Sequence, residues 1–222
     1  MREQSDDHLA SGLKHAVILC HPDPQSFNAA VAQTYCDAVR ARHRGTVVRD
    51  LYRLNFDPVL KISEQPSSQP FIPSEDVTAE LTAIEDAAVI VLIYPIWFGT
   101  PPAMMKGYVE RVLGAGFGHR LMCEPSKDSV VAGKHLLSIS TSGNSIQWLE
   151  RQGAWLSLRN VFDTYLTNAF SMASNEHLHL SGIVEDMGDK AVREELLRVT
   201  QTADATCARL LDAARKPQVA AH

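Results

Sequence analysis

Nine consecutive residues at positions 87–95, AAVIVLIYP, carry no charge and are mostly branched aliphatic. A strand of that composition has no polar face to offer water. It belongs inside a sheet covered on both sides, as in a parallel sheet packed between two layers of helices. Shorter runs of the same kind occur at His15 to Cys20, Thr46 to Leu51 and His135 to Ser140, with a less apolar candidate at Phe170 to Leu180. Between them lie helical patterns: Phe27, Val31, Tyr35 and Val39 recur every four residues, and Val192, Leu196, Val199, Ala203 and Leu210 mark a long final helix. The alternation predicts an α/β fold, a three-layer sandwich with a five-stranded parallel sheet. One domain is expected over residues 15–215, between a flexible N-terminal segment (1–14) and a short C-terminal tail (216–222). Asp57 to Ser74, with four prolines, reads as a surface excursion.

Composition narrows the ligand. With 222 residues, 45% of them apolar, the chain can bury a sizeable core. Its 21 Lys and Arg against 26 Asp and Glu, with no basic tract, argue against a nucleic-acid or anionic-membrane footprint, so small molecules are the expected partners. No stretch approaches a membrane span, and Met1 to Lys14 lacks the apolar segment of a secretion signal. Cys20, Cys36, Cys123 and Cys207 are far apart and form no CxxC, which predicts free thiols and a cytoplasmic location.

In an open parallel sheet, ligands bind outside the carboxyl ends of the strands. Three candidate loops end there. The first, HPDPQSFN at 21–28, places Ser26 as a helix N-cap and Asn28 in the first turn, where free N–H groups and the helix dipole suit a phosphate. His21 stands beside it, where a ring N–H can bond a phosphate oxygen. The second follows Pro95 with two large apolar rings, Trp97 and Phe98, and Pro102 suits the first position of the next helix. The third, STSGNS at 140–145, is small and rich in hydroxyls. Together they suit a planar heteroaromatic ring with an anionic tail, which describes a flavin.

These segments resemble the flavodoxin-like NAD(P)H:quinone oxidoreductases. HPDPQSFN resembles the family's phosphate loop, DLYRLNFDPVL its DLY-x-x-x-F-x-P segment, and YPIWFGTPPAMMKGYVERVL its P-x-x-W-F-G-x-P-A-x-x-K-G segment. SISTSGNS is similar to its fourth-strand loop. The resemblance implies that His21, Ser26, Phe27 and Asn28 hold the phosphate side of FMN, or alternatively FAD. It assigns Pro95, Ile96, Trp97 and Phe98 to the ring, and Ser140, Thr141, Ser142 and Gly143 to its pyrimidine edge. It further implies hydride transfer from NAD(P)H to a quinone-like acceptor by a ping-pong route, with the flavin and no side-chain nucleophile carrying the chemistry. The alternative is an electron carrier or a regulatory flavoprotein partner of a transporter.

The family's animal enzymes place a Tyr and a His after strand four, where this chain offers Trp148, Glu150, Arg151 and Trp155. The resemblance also implies a homodimer with its pockets at the interface. Tyr108, Val109, Val112 and Phe117 give that region more apolar surface than one packed face needs, and Gly114, Gly116 and Gly118 let the backbone lie flat against a neighbour. His177 and His179 alternate and would share one face of a strand, a pair without a visible third metal ligand, and His119 would stand near the acceptor pocket.

Overall fold

Ala87–Pro95 is the central strand of a five-stranded sheet in the computed structural model, which describes residues 13–65, 70–117 and 129–215. Most of the expected N-terminal segment, the tail 216–222, Gly118, His119 and Cys123 lie outside the described residues. The strands are β1 (Lys14–Leu19), β2 (Thr46–Asp50), β3 (Ala87–Pro95), β4 (His135–Ser142) and β5 (Ser174–Ser181). All pair in parallel, in the order β2-β1-β3-β4-β5. That order reverses direction between β1 and β3, and a crevice opens at such a switch point beyond the strand ends.

Helices cover both faces. On one side α1 (Phe27–Ala41) and α7 (Asp189–Arg215) enclose a core built on Val17, Val91, Ile93, Leu137 and Ile139. On the other side lie α2 (Glu75–Ile84), α3 (Ala103–Tyr108) and the helices after β4, over Ile18, Ile90, Leu92, Tyr94 and Leu136. The alternation within β3 between these two cores is why its sequence has no polar face. The helices after β4 are α4 (Ile146–Arg151), α5 (Ala154–Leu158) and α6 (Tyr165–Ala169). A π-helical stretch, Arg159–Thr164, joins α5 to α6, and another, Val109–Leu113, extends α3.

Four expectations change or gain detail. Pro102 is the N-cap of α3, and the helix begins at Ala103. The fifth strand begins at Ser174, because Phe170 closes the preceding helix and packs edge-on against Phe117, ring centroids 5.2 Å apart. The excursion after β2 is anchored: Glu64 is buried against Arg111, which also reaches Asp76 at 2.6 Å and the Asp57 carbonyl. Pro58 sits so close to Gly107 that a Cβ on Gly107 would stand 2.4 Å from it.

The fourth concerns the apolar groups read as a dimer face. Tyr108, Val109 and Val112 are buried within the chain and Phe117 packs against the same core, so their surface is already spent. Gly114 caps the π-helical end, and Gly116 adopts a left-handed turn at φ +69. Neither lies as a flat platform.

Candidate active site

The loop after β1 is stitched by its own polar groups. Asp23 N–H donates to His21 Nδ1 at 3.1 Å, and Gln25 N–H donates to Asp23 Oδ1 at 2.8 Å. Ser26 caps α1, accepting from Ala29 N–H at its side-chain oxygen and its carbonyl. Among the described residues, the N–H groups of Phe27 and Asn28 meet no hydrogen-bond acceptor. They are the free donors that a helix N-terminus offers an anion.

Asn28 does more than sit in the first turn. Its side chain is buried and its amide donates to Thr141 Oγ1 at 3.0 Å, while Ile96 N–H donates to the Thr141 carbonyl at 2.7 Å. Thr141 therefore ties the loops after β1, β3 and β4 together. Ser142 completes the frame, since its carbonyl accepts from Ile183 N–H at 2.9 Å.

Around this frame lies a cavity of about 590 Å³, within the range for small-molecule sites. It is lined by His21, Ser26, Phe27, Asn28, Pro95, Ile96, Trp97, Thr141, Ser142 and Gly143, which are ten of the twelve residues expected from sequence, and the Ile183–Met187 loop supplies a further wall. The described lining contains no Lys or Arg, so an anion here would be held by backbone donors, the helix dipole and His21. The His21 and Trp97 rings face one another at 5.7 Å, forming one lip. A second cavity of about 490 Å³ shares Ile96, Ser142 and Gly143 and continues to Phe98, Trp148 and Gln152. The two make one groove.

Two expected residues lie elsewhere. Trp97 and Thr100 close a tight turn by exchanging backbone hydrogen bonds at 3.0 and 3.1 Å. Phe98 and Gly99 occupy its tip with φ +52 and +83. A two-residue turn with both central residues left-handed throws its tip outward, so Phe98 is fully exposed and reaches only the second cavity. Ser140 is fully buried behind the cavity wall, one step back from Ser142 on the same face of β4, with its hydroxyl between His177 and His179.

Ser140 belongs to a polar row that the loop motifs did not reveal. Ser138 Oγ donates to Asp163 Oδ1 at 2.7 Å, and His177 Nδ1 donates to Asp163 Oδ2 at 2.6 Å. His177 Nε2 stands 2.6 Å from Ser140 Oγ, which is 2.8 Å from His179 Nδ1. His179 Nε2 in turn stands 3.0 Å from Ser142 Oγ. Trp155 covers both histidines, with centroids at 4.8 and 5.1 Å. Burial and the neighbouring His177 and Arg198 bring the His179 ring down to about 4. The signal was present as Ser138, Ser140 and Ser142 on one face of a strand that must be buried, opposite alternating histidines. Buried hydroxyls in such a ladder require partners. Among the described residues no three His, Cys, Asp or Glu side chains are grouped to hold a metal ion.

The fold and the groove at its switch point define a parallel α/β protein with a cavity framed by the loops after β1, β3 and β4. Over residues 13–203 the chain matches the family described as flavodoxin-like fold, and it belongs to that family. A Haemophilus influenzae relative named an uncharacterized NAD(P)H oxidoreductase is 28% identical over 90% of this chain and 98% of its own. The rat NAD(P)H dehydrogenase [quinone] 1 is 32% identical over 58% of this chain, which spans 53% of that enzyme's length. Among solved structures, an NAD(P)H:quinone oxidoreductase from Methanothermobacter marburgensis superposes with a TM-score of 0.74 at 23% identity, covering 88% of this chain and 98% of that one. An FMN-dependent NADH-azoreductase from Bacillus anthracis, in complex with FMN, superposes at 0.61 with 14% identity over 88% and 99%.

Proposed function

We propose that this protein is a flavin-dependent NAD(P)H oxidoreductase of the quinone reductase type. The observation that carries the reading is the convergence, at the β1/β3 switch point, of the free Phe27 and Asn28 N–H groups with the Trp97 lip and the Thr141–Gly143 loop. Relatives named as an NAD(P)H oxidoreductase and an NAD(P)H dehydrogenase [quinone] support the reading. When bound there, a flavin supplies hydride exchange between NAD(P)H and a quinone-like acceptor by a ping-pong route.

The chain's own residues do the rest. The α1 N-terminus and Ser26 hold the phosphate end, and His21 adds a ring donor. Trp97, Pro95 and Ile96 bound the ring. Backbone donors around Ser142 and Gly143 would offset negative charge at its pyrimidine edge. FMN is the favoured form, with one set of helix-terminal donors for one phosphate. FAD is the alternative, and Ile183, Val184, Met187 and Val192, which also line the cavity, would be the apolar groups available to its adenosine end.

The same reading makes the active form a homodimer with pockets at its boundary, through a surface other than the buried Val112 region. Phe98 and Trp148 stand exposed at the second cavity, and Leu156, Val161 and Tyr165 expose apolar surface along the same helical layer. The three cysteines among the described residues are buried free thiols, which accords with a cytoplasmic setting. No described helix is long and apolar enough to cross a membrane.

Releasing the bound cofactor and separating it by chromatography tests the assignment. FMN is the expected product, FAD supports the alternative form, and a colourless protein that takes up neither overturns the reading. Slow reduction of a retained flavin by both nicotinamides would favour the electron carrier instead.

A further inference from the structure

The buried row from Asp163 to Ser142 has a property that follows from counting its protons. Each serine hydroxyl has one proton to give. Ser142 has two acceptors for it, the Asn144 carbonyl at 2.8 Å and His179 Nε2 at 3.0 Å. The carbonyl can only accept, whereas the imidazole nitrogen can accept or donate.

Two arrangements satisfy the row. In the first, Ser142 donates to His179 Nε2, His179 Nδ1–H to Ser140, Ser140 to His177 Nε2, and His177 Nδ1–H to the Asp163 carboxylate. In the second, Ser142 turns to the Asn144 carbonyl and every bond between His177 and Ser142 reverses. His179 Nε2–H now donates to Ser142, Ser140 to His179 Nδ1, and His177 Nε2–H to Ser140, while His177 Nδ1–H still faces Asp163. The second holds one proton more than the first. It resides on His177, against the carboxylate of Asp163, both side chains fully buried.

We propose that Asp163, His177, Ser140, His179 and Ser142 form a proton relay, closed at Asp163 and open to the groove at Ser142, that stores one proton and returns it there. Ser142 is the member of the row that lines both cavities, and the others act through it. Its use in catalysis rests on the flavin reading above, but its existence does not. Reduction of a quinone by NAD(P)H consumes one hydride and one proton. The relay supplies that proton: Ser142 releases its own toward the groove and takes one from His179 Nε2, and the row reverts to its first arrangement. Water in the opened groove restores the proton.

The surroundings favour storage on His177 over His179. Arg198 donates to the His179 carbonyl at 3.2 Å, and a cation beside His179 opposes a charge on its ring. His177 faces Asp163, the Trp155 ring and, at 6.4 Å, the Tyr94 ring, whose hydroxyl burial holds well above 10. Arg159 approaches Asp163 Oδ2 at 4.0 Å from the half-exposed side.

Imidazole ¹⁵N spectra of the cofactor-free full chain between pH 5 and 8 test the relay directly. The expected result is that His179 stays neutral while its N–H moves from Nδ1 to Nε2 as His177 gains a proton. That switch should vanish in Ser142→Ala and in Asp163→Asn, and persist in Ser142→Thr, which keeps the hydroxyl. A single His179 tautomer throughout, or two rings titrating independently, overturns the relay. In flavin-loaded protein, reoxidation of the reduced flavin by a quinone, the step that draws on the stored proton, should be tenfold or more slower in Ser142→Ala than in wild type. Equal rates overturn its link to the cofactor. If no flavin is retained, the functional reading falls and the spectra alone decide the relay.

Discussion

Phe98 holds a backbone conformation that costs a bulky residue about 1–2 kcal/mol, with its ring wholly in solvent. Strain of this kind gathers at functional sites. Phe98→Asn, which tolerates a left-handed φ, should raise stability to denaturant by roughly 1 kcal/mol and weaken acceptor binding, seen as a higher KM. Unchanged KM would limit Phe98 to the turn. In the loop after β1, Ser26→Ala with Asn28→Ala removes a cap worth about 1 kcal/mol and the Asn28–Thr141 tie. Flavin affinity should fall tenfold or more, measured by equilibrium dialysis, and unchanged affinity would remove that loop from the site. HPDPQSFN was legible because capping is local chemistry. The outward turn of Phe98 was not, because it depends on the handedness of a two-residue turn that the letters FG leave open.

At the scale of elements, the strands were readable wherever burial on both faces imposed an apolar run, and least readable in β5, whose Ser174–Ser181 stretch is mostly polar. Its alternating histidines meet Ser140 and Ser142 of β4, a match the sequence hinted at and the register fixes. Asp163 was equally hidden. It sits in the π-helical stretch, where the wider turn brings a carboxylate inward that an α-helical reading would place without reference to the histidines. The excursion after β2 lies on the surface, as its prolines suggested, with Val59, Ile62 and Ile72 exposed, but its anchor was not legible, since Glu64 turns inward to pair with Arg111. Removing one partner of a buried ion pair costs about 3–5 kcal/mol, so Arg111→Met should lower the unfolding free energy by that order. Gly107→Ala, whose methyl would strike Pro58, should also destabilise, by about 1–3 kcal/mol. Thermal melts check both, and wild-type stability in either would mean the excursion is not anchored there.

For the molecule as a whole, pH stability follows from groups that folding keeps uncharged or paired. Burial and the nearby Arg44 hold His15 at about 4, against an ordinary 6.5, with its Nδ1 bonded to the Tyr35 hydroxyl at 2.8 Å. Between these values the unfolded chain binds more protons than the folded one. The His15 contribution is therefore complete above pH 6.5 and declines as pH falls through 4, by about 3 kcal/mol, with His179 acting in the same direction. Glu64, drawn down to about 2 by Arg111, adds stability that is present above pH 4.5 and lost as pH falls through 2. Denaturant midpoints should drop from pH 6.5 to pH 4, and His15→Gln should flatten that slope. A slope unchanged in the variant would place the acid sensitivity elsewhere. Whole-molecule architecture was the most legible level, since alternating strands and helices with a doubly buried β3 leave few other packings.

The central claim is that the groove holds a flavin that NAD(P)H reduces and a quinone reoxidises. Anaerobic stopped-flow mixing of the flavin-loaded protein with NADPH or NADH tests it in one trace. Rapid bleaching of the visible flavin band by at least one nicotinamide, faster than steady-state turnover and reversed by an added quinone, is the predicted result. A bound flavin left oxidised on the timescale of turnover, or one reduced but not reoxidised by quinones, would contradict it.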